Sequence, residues 1–141
     1  MIKKPLLAAG LIVWLAMSCS PAAAQMATPT QPQHGSLKNF KWEALPNYGG
    51  QAAVIHKSPD GKRVAVANKE QGEFMYEYKF DEFLYVTSGR VDLDIIGGAK
   101  FSLKKGEVAY IVKGTRVKIK AYPGFSDITM LISDGEPVDW K

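Results

Sequence analysis

From Leu37 onward the chain is written in short runs in which apolar and polar residues alternate with a period of two, the signature of half-buried strands. The clearest run is RVDLDII, where Val91, Leu93 and Ile95 share one face and Asp92 and Asp94 the other. RVKIKAY repeats the device, setting Val117, Ile119 and Ala121 against Arg116, Lys118 and Lys120. AAVIHKSPDGKRVAVAN reads as two strands joined at Pro59-Asp60-Gly61, where proline presets φ and glycine accepts a positive one. EFMYEYKF, EFLYVTS, KFSLKK, EVAYIV and DITMLIS are further strands, with Gly97-Gly98, Gly106 and Gly114 as turns. No helix is predicted in this part of the chain. About eight strands at roughly 8–12-residue spacing predict an all-β sandwich or barrel.

The pattern is different before Leu37. Lys3 and Lys4 precede the apolar run PLLAAGLIVWLAM and then SCSPAAAQ, with Ala22 and Ala24 in the small-x-small arrangement of a signal-peptidase site. Residues 1–24 are therefore expected to be a cleaved signal peptide, since the apolar run falls short of the ~20 residues a membrane span needs. The mature chain then has no membrane segment and is expected in the periplasm or secreted. Residues 25–36, QMATPTQPQHGS, read as a flexible lead-in, and residues 37–141 as the folded domain.

Composition narrows the chemistry. The sole cysteine, Cys19, leaves with the signal, which removes thiol catalysis, cysteine-bound metal and disulfides from the mature chain. The 18 basic and 14 acidic residues are interspersed, with no basic block of the kind nucleic acid requires. His34 and His56 are the only histidines. His34 falls in the lead-in and His56 near a strand end, expected at an exposed sheet rim, so a Ser-His-Asp site is not indicated.

Two spacings carry a resemblance. Glu82 is followed by six residues and Gly89, with Gly72 upstream. Gly106 is followed by five residues, Val112, Lys113, Gly114, two residues and Val117. Over about Tyr48–Ile132 the chain resembles a cupin, a double-stranded β-helix or jelly-roll barrel, and the acidic pair Asp81-Glu82 is similar to the phrasing of its ethanolamine-utilisation-like subgroup. The resemblance implies a metal site at two histidines before Glu82 and a third in the second motif. With a three-residue gap those positions hold Tyr76 and Tyr78; with a four-residue gap, Met75 and Glu77; the third holds Val117. Carboxylates without imidazole hold a transition metal poorly, so no metal and no cofactor are expected.

The resemblance turns Glu82 inward, and alternation then brings Leu84 and Val86 to the same face, with Tyr76, Tyr78 and Phe80 beside them in the first register and Val117 and Ile119 on the opposite sheet. Of these, Tyr76, Tyr78, Glu82, Leu84, Val117 and Ile119, together with Tyr110, are the candidate binding site: apolar and aromatic, with few polar groups, the usual composition of a small-molecule pocket. Glu82 is either an acid–base or ligand-binding carboxylate, its pKa raised by its setting, or a structural group bonded to Tyr78 or a backbone N–H. Trp42 and Trp140 are placed at the barrel mouth, on its outer face or at a dimer contact. Open sheet edges favour a homodimer. Three functions follow: a metal-free binding module for a small organic ligand, a metal-independent lyase, isomerase or hydrolase using Glu82 and a tyrosine, or a structural dimer module.

Overall fold

The computed structural model describes residues 34–140. The expected signal peptide and most of the lead-in lie outside them. Ten strands follow in order: β1 Glu43–Leu45, β2 Gly50–Lys57, β3 Arg63–Lys69, β4 Gly72–Glu77, β5 Asp81–Ser88, β6 Arg90–Ile95, β7 Lys100–Lys104, β8 Val108–Ile111, β9 Arg116–Ala121 and β10 Ser126–Ile132. They form a six-stranded sheet, β1-β2-β3-β10-β5-β8, and a four-stranded sheet, β4-β9-β6-β7. Every pairing is antiparallel. This is the expected all-β jelly roll. The only helical pieces among the described residues are two 3₁₀ turns, Leu37–Asn39 and Pro46–Tyr48.

The predicted alternation becomes two facing layers. Val91, Leu93, Val117, Ile119 and Ala121 from the smaller sheet pack with Leu84 and Val86 from the larger in one core. Asp92 and Asp94 turn out to meet Arg90 and Lys100, and Lys118 and Lys120 both meet Glu73. A second cluster, Ala52, Val64, Val66, Leu131 and Val138, fills the other end of the larger sheet, with Phe80 and Trp140 packed against it. Trp42 lies outside: its ring sits 4.1 Å beneath the Lys69 ammonium and its Nε1–H donates to the Leu37 carbonyl at 3.1 Å.

Two irregularities shape the larger sheet. Between β2 and β3 the register slips between Val54 and His56, and His56 is half-buried within β2 rather than exposed at a rim. Between β10 and β5 it slips between Ser126 and Asp127, leaving Thr87 as the extra residue. Such bulges bend a strand and re-aim its side chains. Thr87, Ser88 and Ser126 close this one with hydroxyl contacts of 2.7 and 2.8 Å. Gly89, directly after β5, has φ +69°, and a Cβ there would stand 2.7 Å from Phe125 backbone atoms. The glycine that ends the first motif is thus required by both dihedral angle and close approach.

Candidate functional site

Between the sheets lies a cavity of about 90 Å³. Its aromatic wall comes from β4, the segment after it and the Pro46–Tyr48 turn. β4 pairs with β9 so that Phe74 faces Ile119 and Tyr76 faces Val117. That parity sends Phe74 and Tyr76 inward and leaves Met75 54 % exposed, so the three-residue register is the one the fold adopts. Tyr78, 2 % exposed, is pinned through its backbone: its N–H donates to Thr115 O at 2.9 Å and its carbonyl accepts from Gly114 N at 2.7 Å. The second motif's turn therefore holds the first motif's tyrosine. Tyr76 and Tyr78 meet edge to face at 4.9 Å, and Tyr48 extends the chain to Tyr76 at 5.9 Å and Phe74 at 5.0 Å.

The opposite wall is polar. Glu82, Leu84 and Val86 face inward from β5; Asp127, Thr129 and Leu131 from β10; Val64, Val66 and Asn68 from β3, with Glu70 continuing that face. Register sets Leu131 against Glu82 and Asp127 against both Asn68 and Val86. Glu82, Asp127 and Glu70 thus line one cavity, and among the described residues no basic side chain does. Burial pushes the Glu82 carboxyl up to about 8, the charge of Asp127 adding to the rise and the Thr129 hydroxyl opposing it. Burial likewise carries Asp127 to about 7 against the Asn68 amide and Thr129 hydroxyl. Glu70, half-buried, is raised to about 8 by burial and then by the other two carboxyls. The phenols of Tyr76 and Tyr78 are pushed above their ordinary range, by burial first and Glu82 second, and remain proton donors.

Asp127 is the most constrained of these groups. It is 3 % exposed. Its Oδ2 accepts a long bond from Thr129 Oγ1 at 3.3 Å, while Oδ1 has no protein hydrogen-bond partner among the described residues. A buried carboxylate oxygen without a donor is costly.

Of the residues expected at the site, Tyr76, Tyr78, Glu82, Leu84 and Ile119 line the cavity. Val117 is fully buried but packs in the core beside it. Tyr110 is a correction: β8 pairs it with outward-facing Phe83, and it stands 57 % exposed, its hydroxyl donating to Asp81 Oδ2 at 2.8 Å. Asp81 Oδ1 also accepts from Lys113 N at 2.8 Å, and these two bonds hold its carboxyl below the usual range. The acidic pair thus divides its work: Asp81 ties β5 to the β8–β9 turn, and Glu82 enters the cavity. Asp127 and Glu70 were not anticipated. Both extend an inward row already visible as Val64, Val66, Asn68, Glu70 and as Asp127, Thr129, Leu131.

The donor set does not suit the transition metal of the fold family. Tyr76, Tyr78 and Val117 stand at the histidine positions, and among the described residues no three His, Cys, Asp or Glu side chains are grouped to hold an ion.

Residues 57–124 match the family model described as EutQ-like cupin domain. No curated protein sequence matches the chain. Among solved structures it is similar to a putative ethanolamine utilization protein Q from Salmonella typhimurium, 15% identical with TM-score 0.61 over 71% of this chain and 85% of that one. It is also similar to the EutQ protein of Clostridium difficile, 22% identical with TM-score 0.54 over 70% and 78%. An RmlC-like cupin from Shewanella frigidimarina is 13% identical with TM-score 0.62 over 78% and 95%. At these identities the structural likeness speaks for fold alone. The motif spacing and the family match identify a small cupin domain of the EutQ-like subgroup over residues 57–124, and the two-sheet barrel agrees with that fold.

Proposed function

We propose that this cupin is an exported small-molecule-binding protein that works without a bound transition metal. The observation that carries the reading is the cavity itself, with an edge-to-face tyrosine wall on one side and carboxyls on the other. Apolar walls with a few convergent polar groups are the general form of a ligand site. A thermal-shift screen of small amines, sugar acids and polyols against metal-free protein tests it. A compound that stabilises the wild type but not Tyr78→Phe or Glu82→Gln supports the reading, and a screen in which nothing stabilises the protein sinks it.

A second reading is favoured by one specific feature. Carboxyls raised to about 7 and 8 are poised where a general acid or base works best near neutrality. Glu82 could then move a proton while Tyr78 or Tyr76 donates a hydrogen bond, as in a metal-independent lyase, isomerase or hydrolase. Glu82→Gln should lower such turnover by about 10²–10⁴-fold, and undiminished turnover rules the mechanism out.

We also propose a homodimer. β8 is the edge of the larger sheet, and Phe83, Tyr85, Val108 and Tyr110 form an exposed apolar strip on β5 and β8. An open edge flanked by such a strip suits a second copy of itself in antiparallel pairing. Light scattering on wild type and Tyr110→Lys should give dimer and monomer; a monomeric wild type removes the proposal.

A further inference from the structure

We propose that the ligand is an organic ammonium ion, its charge paired with Asp127 in a cavity that Glu82 and Glu70 also line, and its hydrocarbon against the Tyr48–Tyr76–Tyr78 wall. This rests on the small-molecule reading above and names the class of molecule. The inner face of the larger sheet brings three carboxyls into one cavity without a basic side chain among its lining residues, in a chain whose net charge is +4. The nearby cations are engaged elsewhere: Lys118 and Lys120 with Glu73, Lys100 with Asp94 and Arg90 with Asp92, on side chains that point away from the interior. Among the described residues, therefore, none supplies these carboxyls with a counter-ion.

A second, independent observation points the same way. Asp127 Oδ1 lacks a protein donor although the residue is 3 % exposed and lines the cavity. Native proteins rarely leave such an atom unpaired, and an N–H donor from a ligand would satisfy it. A bare metal ion is the poorer candidate, since no three carboxylate or imidazole groups among the described residues are gathered to coordinate one. The tyrosine rings and Leu84, Leu93 and Phe125 instead offer apolar surface to a carbon chain, and ring faces attract cations.

Beside Asp127 on its own sheet stand Glu82 from β5 and Glu70 after β3, and the other titratable groups lining the cavity are Tyr76 from β4, Tyr78 after it, and Tyr48. The three carboxyls become more negative as pH rises while the buried Tyr76 and Tyr78 phenols stay protonated, so cation affinity must rise with pH. From about pH 6 it should climb by up to about tenfold per unit and level off about a unit above pH 8.

Calorimetric titration of the folded protein with propylammonium, tetramethylammonium, propionate and 1-propanol at several pH values is the test. The expected result is binding of at least one cation, with that pH dependence, and none of propionate or propanol. Asp127→Asn should weaken the cation at least tenfold. Glu70→Gln, at the least buried of the three carboxyls, should weaken it several-fold, and serves if Asp127→Asn does not fold. Propionate or propanol binding as tightly as the cations, or cations binding both variants undiminished, overturns the ammonium assignment while leaving the small-molecule reading intact. Failure of both cations to bind also overturns it, and the wider metabolite screen then decides that reading separately.

Discussion

Asp127 shows how far one residue can bias the behaviour of the protein. Its carboxyl is raised to about 7 in the folded state from an ordinary value of 3.8, and Glu82 rises from 4.5 to about 8. A carboxyl whose folded pKa exceeds its unfolded one binds its proton more tightly when folded. The stability it contributes is full below about pH 4 and is lost as pH rises through 7 to 8. The protein should therefore melt several degrees higher at pH 5 than at pH 8.5, opposite to the usual acid lability, and Asp127→Asn should flatten that slope. Thermal melts across pH decide it; a Tm that climbs from pH 5 to pH 8.5 contradicts the account. At this scale the sequence was only partly legible. Glu82 could be placed inward because a motif spacing marks it. Asp127 and Glu70 carry no such mark, and their inward direction follows only when strand parity is run past the last apolar residue. Tyr110 failed for the same reason in reverse: an aromatic in a strand favours neither face until its partner, outward Phe83, is known.

Individual elements were easier to foresee, because strand period and turn residues are local properties. All of β2 to β10 fall where alternation and glycine or proline punctuation put them. β1 was missed, as three residues give too short a run to show a period. The bulge at Thr87 was also invisible, since it depends on how β10 meets β5 rather than on either strand alone. Gly89 is the most demanding joint. A methyl group there meets Phe125 backbone at 2.7 Å with φ at +69°, so Gly89→Ala should cost at least about 2 kcal/mol. Urea unfolding measures it, and a loss below ~0.5 kcal/mol would show that the β5–β6 corner relaxes.

At the largest scale, residues 34–140 are two sheets closed over a core that is apolar at its centre and carries carboxyls along one wall. Leu93, 2 % exposed between the layers, also lines the cavity. Leu93→Ala should destabilise by about 2–5 kcal/mol and enlarge the cavity, so that bulkier members of any ligand series gain affinity relative to the parent. Fold class was legible from the first reading because many short alternating runs admit few closures. The cavity's character was not, for it is a property of rows drawn from β3, β10 and β5 that are distant in the chain.

The pairing of Tyr76 with Val117 across β4 and β9, with Tyr78 clamped alongside by the Gly114 turn, has an engineering consequence. Directly opposed residues hold their Cβ atoms about 4.5–5.5 Å apart, so the scaffold keeps in register the positions where the resemblance expects histidines. Refitting imidazoles by Tyr76→His, Tyr78→His and Val117→His would set three nitrogens around Glu82 without altering a single backbone bond. Such a triple variant should acquire one divalent ion per chain by elemental analysis, turning a carboxyl-lined receptacle into a metalloprotein by side-chain exchange alone.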